Sequence, residues 1–166
     1  MIIVADTTPL ISLMKCNCLG ILQDLFEEVQ IPEAVYAELT SNPKFTEEAI
    51  IIANCEFIHK VKIDDQKSVA LFKRGTGLDI GETEAIILSD NLHADFLLMD
   101  EAKGRKVAIQ MGIRVMGTVG VMLLAYESRI LSGEAIKSAV DLMRNANRHI
   151  SETLFEQLLD KISQEE

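Results

Sequence analysis

Apolar positions along this chain fall into two kinds of block: short unbroken runs, and longer stretches where they recur every three or four residues. The run at residues 2–5 (IIVA) has strand length and no polar alternation, which marks a strand covered on both faces, and an aspartate follows at position 6. "FLLM" at residues 96–99 repeats this arrangement and ends on Asp100. "VQIP" at 29–32 and the strand of "IRVMGT", from 113 and ending at Gly117, read as further short strands, and "FIHKVKI" at 57–63 alternates like a half-exposed one. Helical spacing or capping predicts helices over residues 9–15, 20–28 and 32–40, then 45–54 with Thr46 as its N-cap. More helices are expected at 67–73, ending at Arg74 and Gly75, at about 81–92, and from Glu101 or Ala102 to Met111. The last three are placed at 118–128, 132–145 and 151–163.

Strands alternating with helices predict an α/β protein, a three-layer α/β/α arrangement around a central, mainly parallel sheet. No linker, repeat or low-complexity tract interrupts the pattern, so residues 1–166 are expected to form a single domain, with a C-terminal helical pair at about 132–163.

Composition narrows the function classes. Apolar residues make up 48% and the mean hydropathy is +0.18, which argues against disorder. With six Phe, two Tyr and no Trp, a carbohydrate platform or a base-stacking sheet is poorly supplied. Cys16, Cys18 and Cys55 have no zinc spacing and read as free thiols of a reducing cytosol. Asp6 stands where a signal peptide would be apolar, and no stretch is long enough to span a bilayer, so the expectation is a cytoplasmic protein with no membrane association. The net charge of −10 argues against broad non-specific nucleic-acid binding, yet it suits carboxylates that await a divalent cation.

In an open α/β sheet, ligands bind beyond the carboxyl ends of the strands, where Asp6 and Asp100 both fall. Each also has an ordinary reading as a helix N-cap. Glu38 lies in helical register with Ala34 and Val35, which turns it partly toward the core. Glu82 begins a helix after Gly81 and would otherwise be a plain dipole partner; Glu84, two residues on, is an alternative to it. Brought together without a cation, such acids would repel one another, by about 4 kcal/mol for a pair ~4 Å apart at an effective dielectric near 20. An all-oxygen set suits Mg²⁺ or Mn²⁺ rather than zinc. His59, His93 and His149 have no paired spacing and read as surface or structural residues.

The ordered motifs "VADTTPLI" with Asp6, "PEAVYAEL" with Glu38, "GLDIGETEAIILS" with Glu82 and "FLLMDEAKGRKVA" with Asp100 resemble a PIN domain, the nuclease fold of VapC-like toxins and related RNA-processing enzymes. "IRVMGTVGVMLLA" and "RHISETLFEQLLDKI" are similar to an uncharacterised prokaryotic PIN-like subgroup, so the resemblance covers nearly the whole chain. It implies metal-dependent hydrolysis of phosphodiester bonds. Asp6, Glu82 and Asp100 would hold Mg²⁺ or Mn²⁺, and Glu38 would complete the shell or orient the attacking water. Thr8 matches a small polar position of the family and would bond a ligand or water, while Lys103, Arg105 or Lys106 from "KGRK", or Lys73 and Arg74, would meet the substrate. The implied partners are RNA as substrate, a second copy in a homodimer and, in a toxin–antitoxin system, an antitoxin protein.

Two departures stand out. The family often carries Asp where this chain has Glu82, and a Thr or Ser two residues before the final acid, where this chain has Leu98. If the register slips by one, Glu101 replaces Asp100 and Met99 takes the hydroxyl's place, so the hydroxyl is missing either way. The absent hydroxyl and the acidic total favour one rival, a catalytically inactive PIN-like RNA-binding or protein-interaction module, and the presence of all four acids disfavours it. A phospho-acceptor receiver domain is a weaker rival, because "IRVMGT" lacks the lysine such a domain needs at the end of a late strand.

Overall fold

The computed structural model describes residues 1–148 and 150–165, so His149 lies outside the described residues. Among the described residues, five strands form one sheet in the order β3-β2-β1-β4-β5, every neighbouring pair parallel. They are β1 (Ile3–Ala5), β2 (Val29–Pro32), β3 (Ile58–Val61), β4 (Phe96–Leu98) and β5 (Val115–Met116). The helices are α1 (Thr7–Lys15), α2 (Ile21–Phe26), α3 (Glu33–Ser41), α4 (Thr46–Ala53), α5 (Gln66–Thr76), α6 (Ile80–Leu92), α7 (Ala102–Gln110), α8 (Thr118–Glu127), α9 (Gly133–Asn145) and α10 (Glu152–Glu165). The expected three-layer α/β/α architecture is therefore the one observed.

The unbroken apolar runs explain the layering. Successive strand side chains point to opposite faces, so each central strand supplies two cores at once. Ile3 and Ala5 of β1 and Leu98 of β4 join the core that contains residues of α1 to α4 and α8 to α10. Val4 and Leu97 pack on the other face with Ile86 and Leu88 of α6, Val69 of α5 and Ala108 of α7. All five of these β1 and β4 side chains are fully buried, and each buried Val, Leu or Ile contributes roughly 1.5–3 kcal/mol.

The chain runs outward from β1 through β2 to β3, then returns to the far side of β1 as β4 and β5. The reversal falls between β1 and β4, paired in the register Ala5 to Leu98. The ladder continues one residue further, because Asp6 N–H donates to the Leu98 carbonyl at 2.9 Å. The crevice beyond a topological switch point is where open α/β sheets bind ligands.

Several boundaries differ from the sequence reading, each for a local reason. Helix α1 begins at Thr7 with Pro9 third, still inside the first turn, where a missing N–H leaves no bond unmade. Thr46 does not cap α4: a short 3₁₀ turn over Pro43–Phe45 runs straight into that helix, and the Thr46 hydroxyl donates back to the Pro43 carbonyl at 3.2 Å. Helix α5 continues past Gly75 to Thr76 and stops at Gly77, whose φ of 69° is the left-handed conformation that glycine adopts without strain.

Candidate functional site

Four acids meet beyond the carboxyl ends of β1, β2 and β4. Asp6 occupies the N-cap position of α1, yet its side chain makes no capping hydrogen bond. It is 4% exposed, and its carboxyl is pushed up to about 7, first by burial and then by the charges of Asp79, Glu82 and Glu38. A buried carboxylate among like charges is held in a state that a cation would relieve.

Glu38 reaches the cluster from α3. The residue is exposed rather than turned into the core, but its Oε2 accepts a 2.8 Å hydrogen bond from the Thr7 hydroxyl. Asp79 and Glu82 arrive together at the start of α6, locked in a capping box: Glu82 N–H donates to Asp79 Oδ1 at 2.8 Å, and Asp79 N–H donates to Glu82 Oε2 at 3.1 Å. Burial raises the Glu82 pKa; the hydrogen bond from Asp79 N–H opposes the rise, the charges of Asp79 and Glu101 add to it, and Lys103 counters it.

Gly81 forms the floor of this cluster. A Cβ there would stand 3.4 Å from both Asp79 Oδ1 and Glu38 Oε2, and 3.6 Å from Asp6 Oδ1. Oxygens of three separate elements thus approach one side-chain-free surface. Glu84 points elsewhere: it is buried and accepts from Ala34 N–H at 2.9 Å, so it holds the start of α3 against α6.

Asp100 stands at the β4 end. Both its oxygens are engaged by the first residue of α8: Thr118 N–H donates to Oδ1 at 2.7 Å and the Thr118 hydroxyl to Oδ2 at 2.6 Å. A hydroxyl thus meets Asp100 from another element, although none stands two residues before it. Asp100 is a cap, but of α8 rather than of the helix that follows it, and its charge is not among those that raise Asp6. Glu101, exposed beside it, is the acid of this turn that acts on Glu82.

The basic residues divide. Lys103 is exposed, donates from Nζ to the Gly77 carbonyl at 3.0 Å, and leans its charge toward Glu82. Arg105 donates to the Met99 carbonyl at 2.8 Å, which places its guanidinium against the Asp100 turn. Gly117 lets both sit there, because a Cβ on it would lie 3.0 Å from Arg105 Nη1 and from Asp100 Oδ1. Thr8 is half-buried in the first turn of α1, and Lys73 and Arg74 are exposed in the last turn of α5.

A groove of about 1,100 Å³ opens beside Asp100, lined by Glu101, Arg105, Lys106, Val119 and Ser151 among others. The donor chemistry at Asp6, Glu38, Asp79 and Glu82 fits a hard divalent cation, all carboxylate oxygen with a partly desolvated acid at the centre. Those acids do not form a closed cage: among the described residues, no three His, Cys, Asp or Glu stand at metal-holding geometry. Mg²⁺ usually keeps several of its waters, so contacts through water fit this spacing.

Sequence reasoning missed Asp79 and Thr118. The signal for Asp79 was local, since Asp three residues before a Glu at a helix start is a capping arrangement. Thr118 carried no local signal toward Asp100. The cysteines are free, as expected, and among the described residues no helix is long and apolar enough to cross a membrane. A family model described as a PIN domain matches residues 2–164. Comparison with curated proteins and with solved structures returned no match.

Proposed function

The chain belongs to the PIN-domain family, whose members are in general metal-using nucleases, and on that premise we propose that it is a divalent-metal-dependent ribonuclease. The observation that supports this reading best is the convergence of Asp6, Glu38 and Asp79 over the bare face of Gly81, with Glu82 fixed to the same turn. A divalent cation bound there would lower the pKa of an attacking water and offset charge on the scissile phosphate.

Asp6, Glu82 and Asp100 are the proposed metal-holding residues, with Asp79 and Glu101 added as acids of the same two turns. Glu38, steadied by the Thr7 hydroxyl, is proposed to orient the water and take its proton. Thr118 would keep Asp100 in one rotamer. Lys103 and Arg105 are proposed to meet the RNA backbone, each already anchored to a backbone carbonyl, with Thr8 bonding a ligand or water at the α1 end. The same reading takes residues 1–166 as a single domain acting as a homodimer in the cytoplasm, with an antitoxin partner if the chain is a toxin.

The test is cleavage of labelled single-stranded RNA with Mn²⁺ or Mg²⁺, wild type beside Asp6→Asn, with metal binding followed by calorimetry. Cleavage that needs the metal and is lost in the variant is expected. Saturable metal binding without cleavage of any nucleic acid would favour the inactive RNA-binding or interaction module instead. Absence of metal binding would remove the nuclease reading.

A further inference from the structure

Arg148 sits in the connection between α9 and α10, half-buried. Its Nε donates to Ser12 Oγ at 3.1 Å, a contact between residues 136 positions apart. Ser12 is completely buried on α1, the helix that begins just after Asp6, so the guanidinium has a firm anchor. Among the described residues neither Nη finds an acceptor, and neither is counted with the fully buried side-chain atoms that lack a partner, so both keep some access to solvent.

Two acids act on this arginine through space, Asp100 and Glu48. Both have other commitments. Asp100 gives its two oxygens to Thr118, and Glu48, itself buried, pairs with Lys15. Burial meanwhile disfavours the charged guanidinium. A partly desolvated cation whose fork is left open, beside acids bonded elsewhere, is suited to an anion from outside. The planar fork matches the oxygens of a phosphate better than a lysine would. Two and three residues further on, Ile150 and Ser151 line the same groove as Asp100, Arg105 and Lys106. The α9–α10 connection therefore borders this groove, with Arg148 two residues from its lining.

We infer that Arg148 is a phosphate-binding residue, which holds a backbone phosphate of the nucleic-acid substrate next to Asp100. This rests on the nuclease reading of the acidic site.

The test uses the full chain in the Asp6→Asn background, so that binding is measured without cleavage. The probe is a short fluorescein-labelled single-stranded RNA, titrated by anisotropy at several salt concentrations. Adding Arg148→Gln is expected to weaken binding about tenfold and to reduce the slope of log affinity against log salt by about 0.7, one phosphate contact on a single strand. Arg148→Lys should recover much of the slope and part of the affinity. Ser12→Ala, which removes the anchor and keeps the charge, should weaken binding with little change in slope. Unchanged affinity and slope in Arg148→Gln, or tighter binding, would overturn the assignment. A purely structural arginine would lower the melting temperature in Arg148→Gln and Ser12→Ala alike and leave the slope alone. If the Asp6→Asn parent binds no RNA, the nuclease reading falls and the arginine's role falls with it.

Discussion

Asp6 carries the largest electrostatic burden of any single residue at the site, and its sign can be worked through. Its carboxyl titrates at 3.8 in a free chain and at about 7 in the folded one. Between those values the folded state holds a proton that the unfolded state has lost, so stability falls as pH rises. This group's contribution is intact below the lower value and fully lost above the upper one, with a ceiling of about 4 kcal/mol. Asp6→Asn should therefore stabilise the metal-free protein at about pH 8 and change little near pH 4, as read from melting temperatures in EDTA. An equal effect at both values would contradict the assignment. Gly81 gives a second test. Alanine meets the site oxygens at ordinary contact distance, and it favours a helix by up to about 1 kcal/mol over glycine. Gly81→Ala is expected to fold at least as stably as wild type while losing tenfold or more in metal affinity, because the methyl fills the floor of the cluster. Asp6 was legible in the sequence because a carboxylate at the end of a buried strand is conspicuous; Asp79 was not, because it resembles any acid in a turn before a helix.

Individual elements position these residues through their ends. The capping box at the start of α6 is at once a helix signal and the device that fixes Glu82 beside Asp79. The start of α8 does the same for Asp100 through Thr118. Thr118→Val keeps the shape and the N–H but removes the hydroxyl, leaving Asp100 Oδ2 without that donor. A loss of about 1.5–3 kcal/mol is expected in denaturant unfolding, with reduced cleavage, and Thr118→Ser should restore both. If Thr118→Val unfolds and cleaves like wild type, the hydroxyl does not steady Asp100. Most helices could be placed from spacing alone, but a contact between the end of one strand and the start of a later helix cannot be. Nothing near Leu98 or Met99 in the sequence points to residue 118, and nothing near Arg148 points to Ser12.

For the whole molecule, the order β3-β2-β1-β4-β5 matters most, because it brings residues from distant parts of the chain to one crevice. The layers were legible because residues 2–5 and 96–99 are apolar without alternation, as only strands buried on both faces need to be. Strand order carries no such mark in the sequence. A chain with a net charge of −10 and several acids gathered in one place should gain stability from a divalent cation. Mn²⁺ at about a hundred times its dissociation constant is expected to add about 2.7 kcal/mol to the unfolding free energy of the wild type, and much less to Asp6→Asn. Matching NaCl controls for ionic strength separate that specific effect from general screening.

The two outer strands have a bearing on how copies of this protein could associate. β5 is only two residues long and follows Arg114, while β3 carries Lys60 with Lys62 just beyond it. Short, cation-guarded borders are poor templates for another chain to add a strand. Continuous sheets across two copies, and the runaway fibres that flat apolar borders invite, are thus disfavoured from both sides. A homodimer of the kind proposed would have to form through its helices.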